Sequence, residues 1–175
     1  CDIILSMNTL NEYFKKNHDP KIFTHKSVEK KPDLQTKTIQ GKRFYILPDG
    51  NKLPSITTVL SARGNEGIAR WRASVGEQVA NTIMRNAARR GTAVHTLTEN
   101  YLNNEELSQQ GVLPTALFTI LKSELDKINN IVMQEGALYS EKWGVAGRVD
   151  CIAEYDGKLS VIDFKTSTKE KKEEW

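Results

Sequence analysis

Asp150 and Asp163, with Lys165 two residues beyond the second, are the side chains of this sequence whose types and spacing speak most directly of chemistry. Between the aspartates lie two apolar runs separated by Asp156-Gly157, and Asp-Gly in such a place is a strong signal for a two-residue hairpin turn. Counting outward from a Tyr155–Lys158 pair brings Asp150 directly opposite Asp163. The same count puts them at a non-hydrogen-bonded site, where α-carbons lie about 4.5 Å apart. Opposed like charges destabilise a sheet, so a purely structural hairpin gains nothing from the pair. Two carboxylates in contact suit a hard divalent cation, and an ammonium on the same face can position a water or stabilise charge developing on a phosphate. A bulge would undo the count, and an exposed acidic pair neutralised by Arg148 and Lys165 is the alternative reading.

Other candidates are weaker one by one. His95 and Glu99 lie four apart on a predicted helix and so share a face, although a lone histidine is more often structural than a ligand. From Arg63 to His95 there are six arginines (Arg63, Arg70, Arg72, Arg85, Arg89 and Arg90) against Glu66 and Glu77. Such a stretch can follow phosphates, and a solvated helix face is its plainer explanation. Trp143, in a short turn between strands, either caps the neighbouring core or offers a ring for stacking on a base. The zincin His-Glu-x-x-His, the phosphate-binding Gly-x-x-x-x-Gly-Lys-Ser/Thr loop and the Gly-x-Ser-x-Gly elbow are all absent from the sequence, which sets aside those metalloprotease, nucleotide-hydrolase and serine-hydrolase chemistries. No nucleotide cofactor is expected. Cys1 and Cys151 are too few for a four-cysteine cluster and read as reduced thiols.

The elements that must hold these residues follow from periodicity. At 175 residues, 38% hydrophobic and 27% charged, with a net charge of +3, the chain has the composition of one globular domain. It has no apolar run of the roughly 18–20 residues that a membrane span requires, so no membrane association is expected, and a cytoplasmic location in a bacterium or phage-infected cell is expected before a mitochondrial one. Residues 1–40 read as a polar N-terminal arm and 41–175 as the domain. Within the domain a β-hairpin is predicted over 43–60 and a helical region over 61–133, followed by a sheet over 135–168. The predicted helices run from Ile68 to Met84, from Thr92 to Leu102 after an interruption at Gly91, and from Leu113 to Val132. Three strands follow, over 137–141, 145–155 and 158–166. Apolar residues on both faces of the last two place them inside a layered α+β fold, a central mixed sheet with an antiparallel hairpin core flanked by helices. The closing run 169–175 reads as the first turn of a further helix.

Taken in order, these segments resemble a family. Gly147-Arg-Val-Asp150 followed by Val161-Ile-Asp-Phe-Lys-Thr-Ser167 resembles motifs II and III of the PD-(D/E)XK nuclease superfamily, and Arg90-Gly-Thr-Ala-Val-His95 resembles the histidine motif of its RecB-like branch. The run from Ala146 to Ser167, with Leu53-Pro-Ser-Ile-Thr-Thr-Val-Leu60 and Ala69-Arg-Trp-Arg72, is similar to the mitochondrial genome maintenance exonucleases and their bacteriophage relatives. The resemblance implies a nuclease fold in which His95, Asp150 and Asp163 ligate Mg2+ or Mn2+. The Phe164 backbone carbonyl completes that set, Lys165 is the catalytic lysine, and Glu135 corresponds to a glutamate ahead of the core. It further implies hydrolysis of phosphodiester bonds, with single-stranded DNA as partner, in replication, recombination or repair. Arg63, Arg70, Arg72, Arg85, Arg89 and Trp143 become candidate DNA contacts. RecB-like nucleases usually carry a Gln-x-x-x-Tyr helix after motif III, which this sequence does not contain. A non-catalytic DNA-binding module and an endonuclease on the same core are the other functions compatible with these motifs.

Overall fold

The structure is a computed structural model and describes residues 21–26, 33–62, 64 and 66–166. Strands β1 (Gln35–Ile39), β2 (Lys42–Ile46) and β3 (Lys52–Pro54) form an antiparallel sheet. Its first turn, Gln40-Gly41, takes positive φ at both residues, the handedness that matches strand twist. At the end of β3 the Ser55 hydroxyl accepts the Thr58 amide and starts helix α1 (Ile56–Ser61). Helices α2 (Glu66–Val75), α3 (Glu77–Leu102) and α4 (Val112–Leu125) follow. They lead into a second antiparallel sheet of β4 (Ile128–Ser140), β5 (Val145–Tyr155) and β6 (Lys158–Ile162). A parallel bridge between Ser55 and Ala146 ties the sheets together. The fold is α+β, and no helix among the described residues is long and apolar enough to cross a membrane.

Two cores result. In the larger, α3 (Leu97, Tyr101, Leu102) and α4 (Phe118, Leu125) pack over Ile128, Ile131, Cys151 and Ala153 of the second sheet, each large side chain contributing about 1.5–3 kcal/mol of burial. The smaller joins Leu34, Tyr45 and Leu47 to Ala137 and Ala146.

Several boundaries differ from the periodicity reading. The hairpin ends at Pro54, and residues 56–60 of its expected second strand are helical because Ser55 caps them. Gly76, at φ 85, stops α2, since that backbone conformation is one an L-residue avoids. Gly91 lies inside a continuous α3. The third helix ends at Leu125, and Ile128 and Ile131 belong to β4. They stand three apart, as on a helix, because a bulge between Asn129 and Met133, with Asn130 at φ 47, resets the strand's alternation. Part of the expected arm is built into the fold: Phe23 and Leu34 are buried, and β1 lies within it. The expected helix start at 169–175 is outside the described residues.

Candidate metal centre

The Asp-Gly turn sets the register of β5 on β6, and the pairs run from Tyr155–Lys158 out to Cys151–Ile162 in the counted order. Asp156 and Gly157 both adopt positive φ there. One step further, where Asp150 would meet Asp163, the ladder stops. The Phe164 amide reaches across and donates to Asp150 Oδ2 at 2.7 Å, while Asp163 accepts from the Lys165 ammonium. Facing carboxylates repel, and each has taken a donor of its own. Asp163 and Lys165 are more than half exposed and stand outside the cluster that Asp150 joins.

That cluster is assembled from three elements. His95 sits on the packed half of α3 between buried Val94 and Leu97, Asp150 lies on β5, and Glu135 on β4. Their ligand-type atoms all fall within 4.8 Å of one another, a group of three that is alone of its kind among the described residues. His95 Nδ1 is 3.9 Å from a carboxylate oxygen of each acid, and its Nε2 is 2.7 Å from the Phe164 carbonyl oxygen. Phe164 thus touches the cluster with both backbone groups, and its ring meets the imidazole edge-on at 6.2 Å.

Glu135 reaches this point through an unusual backbone. It lies between the pairs Gln134–Cys151 and Gly136–Val149, opposite Asp150, with φ 47. A non-glycine residue held there costs on the order of 1–3 kcal/mol. Burial, then the charges of Asp150 and Glu99, push its carboxyl above the ordinary glutamate range, with His95 and Arg148 opposing. Negative charge is in surplus, which a bound cation would relieve. The donor set of imidazole nitrogen, two carboxylates and a carbonyl is one that hard divalent ions accept.

The arginines divide. The Arg72 guanidinium bonds Glu77, Asn81 and Met84 Sδ, bracing α2 against α3 across Gly76, and so is committed within the chain. Arg70 lies 3.8 Å from Glu66. Arg85 and Arg89 are exposed, and Arg89 with Arg90 lines an open cleft of about 730 Å³ between α3 and the start of α4. Arg63 is outside the described residues. Trp143 is 74% exposed with the Lys142 ammonium 5.5 Å from its ring, so it does not cap the core. From the sequence alone Arg148 stands only as a neutralising partner, and Gly136 only as the point where the period changes from helix to strand. A glycine following an acid inside a strand was the available signal for a bend.

No family model matches the chain. Two curated relatives share its sequence at a distance. Mitochondrial genome maintenance exonuclease 1 of Homo sapiens is 29% identical over 132 residues, covering 69% of this chain and 38% of that protein. The protein of the same name from Mus musculus is 29% identical over 136 residues, covering 69% and 39%. The chain spans about two fifths of the length of the curated relatives it matches. It is thereby related, distantly, to an exonuclease.

Proposed function

We propose that this chain carries the catalytic centre of a Mg2+- or Mn2+-dependent DNA exonuclease of PD-(D/E)XK type, hydrolysing phosphodiester bonds preferentially in single-stranded DNA during replication, recombination or repair. The convergence of His95, Glu135 and Asp150 beside the Phe164 carbonyl carries this reading, and the distant exonuclease relatives support it. Those four groups would hold the ion. Once bound, it would supply Lewis acidity toward a phosphoryl oxygen and the attacking water.

The chain's own residues do the rest. The Phe164 amide orients the Asp150 carboxylate, and the Phe164 carbonyl orients the imidazole. Asp163 and Lys165 flank Phe164, so both are tethered beside the cluster while remaining solvent-accessible. Their exposed ion pair is worth about 0–1 kcal/mol. Lys165 can therefore leave Asp163 for a phosphate or a water at little cost, freeing the carboxylate for the ion. Arg85 and Arg89 would follow the phosphate chain, and Trp143 would stack on an unpaired base, a contact that duplex DNA does not offer.

A second reading, a DNA-binding module that does not cut, is favoured by one observation: Asp163 and Lys165 engage each other rather than the cluster. End-labelled linear and closed circular single-stranded DNA, incubated with the protein in Mg2+, Mn2+ or EDTA, separate the possibilities. Metal-dependent shortening of the linear substrate alone is expected. Cutting of the circle would make the protein an endonuclease, and binding without cleavage in any metal would favour the non-cutting module.

A further inference from the structure

Glu135 enters the metal cluster from a bend in β4 made by its own left-handed backbone. The ladder pairs Gln134 with Cys151 and Gly136 with Val149, and the intervening residue takes a left-handed conformation. Gly136 makes room for the bend, since a Cβ at that position would collide with Met133 Sδ. Something must also hold the bend, because the Glu135 backbone carbonyl needs a partner. Arg148 supplies one. Its Nη1 donates to that carbonyl at 2.8 Å, and its Nη2 donates to the Asp33 carboxylate at 3.1 Å. Arg148 is two residues before Asp150 on the same strand and pairs with Ala137, so it reaches diagonally across the sheet to the residue two before its own partner. A planar guanidinium anchored on both terminal nitrogens fixes direction as well as distance.

We propose that Arg148 is the positioning residue of the metal centre. It holds the bent Glu135 backbone and thereby keeps the Glu135 carboxylate beside His95 and Asp150, without itself meeting the ion. The inference rests on the metal-centre reading above. It makes a prediction opposite in sign to simple electrostatics: loss of a nearby positive charge should tighten cation binding, whereas loss of a positioning residue should weaken it.

The experiment is calorimetric Mn2+ titration of the full chain and of Arg148→Met, Arg148→Lys, Glu135→Gln and the Arg148→Met/Glu135→Gln double variant, with melting in EDTA beside each. Removal of an outer partner of a metal ligand typically weakens affinity about 10–100-fold. Arg148→Met is expected to fall in that range, Arg148→Lys to recover part of the loss through a single donor, and the double variant to bind no more weakly than Glu135→Gln alone. Unchanged or tighter binding in Arg148→Met, with Glu135→Gln weakened, would overturn the positioning role and leave the metal centre standing. Full additivity in the double variant would overturn it as well. Wild-type affinity in Glu135→Gln would remove Glu135 from the ligand set and the inference with it. Should Arg148→Met fail to fold in EDTA, Arg148→Lys decides, with wild-type affinity counting against the proposal.

Discussion

Over residues 77–88, α3 buries Ala80 and leaves Val79, Ile83 and Met84 about half exposed, whereas over 89–102 it buries Val94, Leu97, Thr98, Tyr101 and Leu102. The apolar spacing is helical throughout, so what differs is the neighbour. The second half lies against α4 and the β4–β6 sheet, and the first half against α2, through the Arg72 brace. His95 is on the half that packs against the sheet, as the ligand role proposed for it requires. Arg85 lies on the looser half and Arg89 at the junction, where a flexible polymer can be followed without a rigid frame.

The largest expected effect would break the contrast at its fixed end. Asp150→Asn keeps an acceptor for the Phe164 amide but loses a charge, and His95→Ala loses a nitrogen ligand. Each should lower metal-dependent cleavage by at least about 100-fold with melting in EDTA nearly unchanged, while Asn81→Ala on the loose half should leave cleavage intact. Near-normal cleavage in either site variant would remove that residue from the centre. In denaturant titrations, Leu102→Ala should cost about 2–5 kcal/mol and Ile83→Ala less than about 0.5 kcal/mol. Equal costs would mean the two halves are packed alike.

Smaller effects sharpen the other end. Trp143→Ala should weaken single-stranded DNA binding by about 1–3 kcal/mol with unaltered melting, and a large fall in melting temperature with unchanged affinity would make the ring structural. Arg85→Ala or Arg89→Ala should each reduce the salt slope of that binding by roughly 0.7. Arg72→Ala should instead loosen the α2–α3 corner and leave the slope alone. The smallest is a matter of sign. Burial raises the Glu135 carboxyl, so the unfolded chain gives up that proton at lower pH than the folded one. Stability in EDTA therefore falls as pH rises from the ordinary glutamate range through the raised value. Glu135→Gln should match wild type near about pH 4 and exceed it near about pH 7, and a constant difference at both pH values would contradict the burial of this charge.

The β5–β6 register could be read from the sequence because a two-residue turn fixes it locally. The place where the ladder ends could not, because repulsion between Asp150 and Asp163 and the competing Phe164 amide act only once the strands have met. Glycine misleads for a similar reason: inside a helix it costs about 1 kcal/mol, and α3 runs on through Gly91 in ordinary helical backbone, whereas Gly76 takes φ 85 and ends α2. Ile128 and Ile131 keep a helical spacing that a bulge, invisible to periodicity, converts into a strand. Glu135 was marked by resemblance alone, and its route into the cluster depends on a bend that no pattern of apolar residues encodes.

Cys151 adjoins Asp150 and pairs with Ile162, is fully buried, and has its thiol pushed up to about 11 by burial. A thiol so placed meets an alkylating reagent only when the surrounding strands part. In a Cys1→Ser background its labelling rate would time the opening of the β5–β6 edge, and a slowing on addition of Mn2+ would register occupancy of the neighbouring ligands with no nucleic acid present.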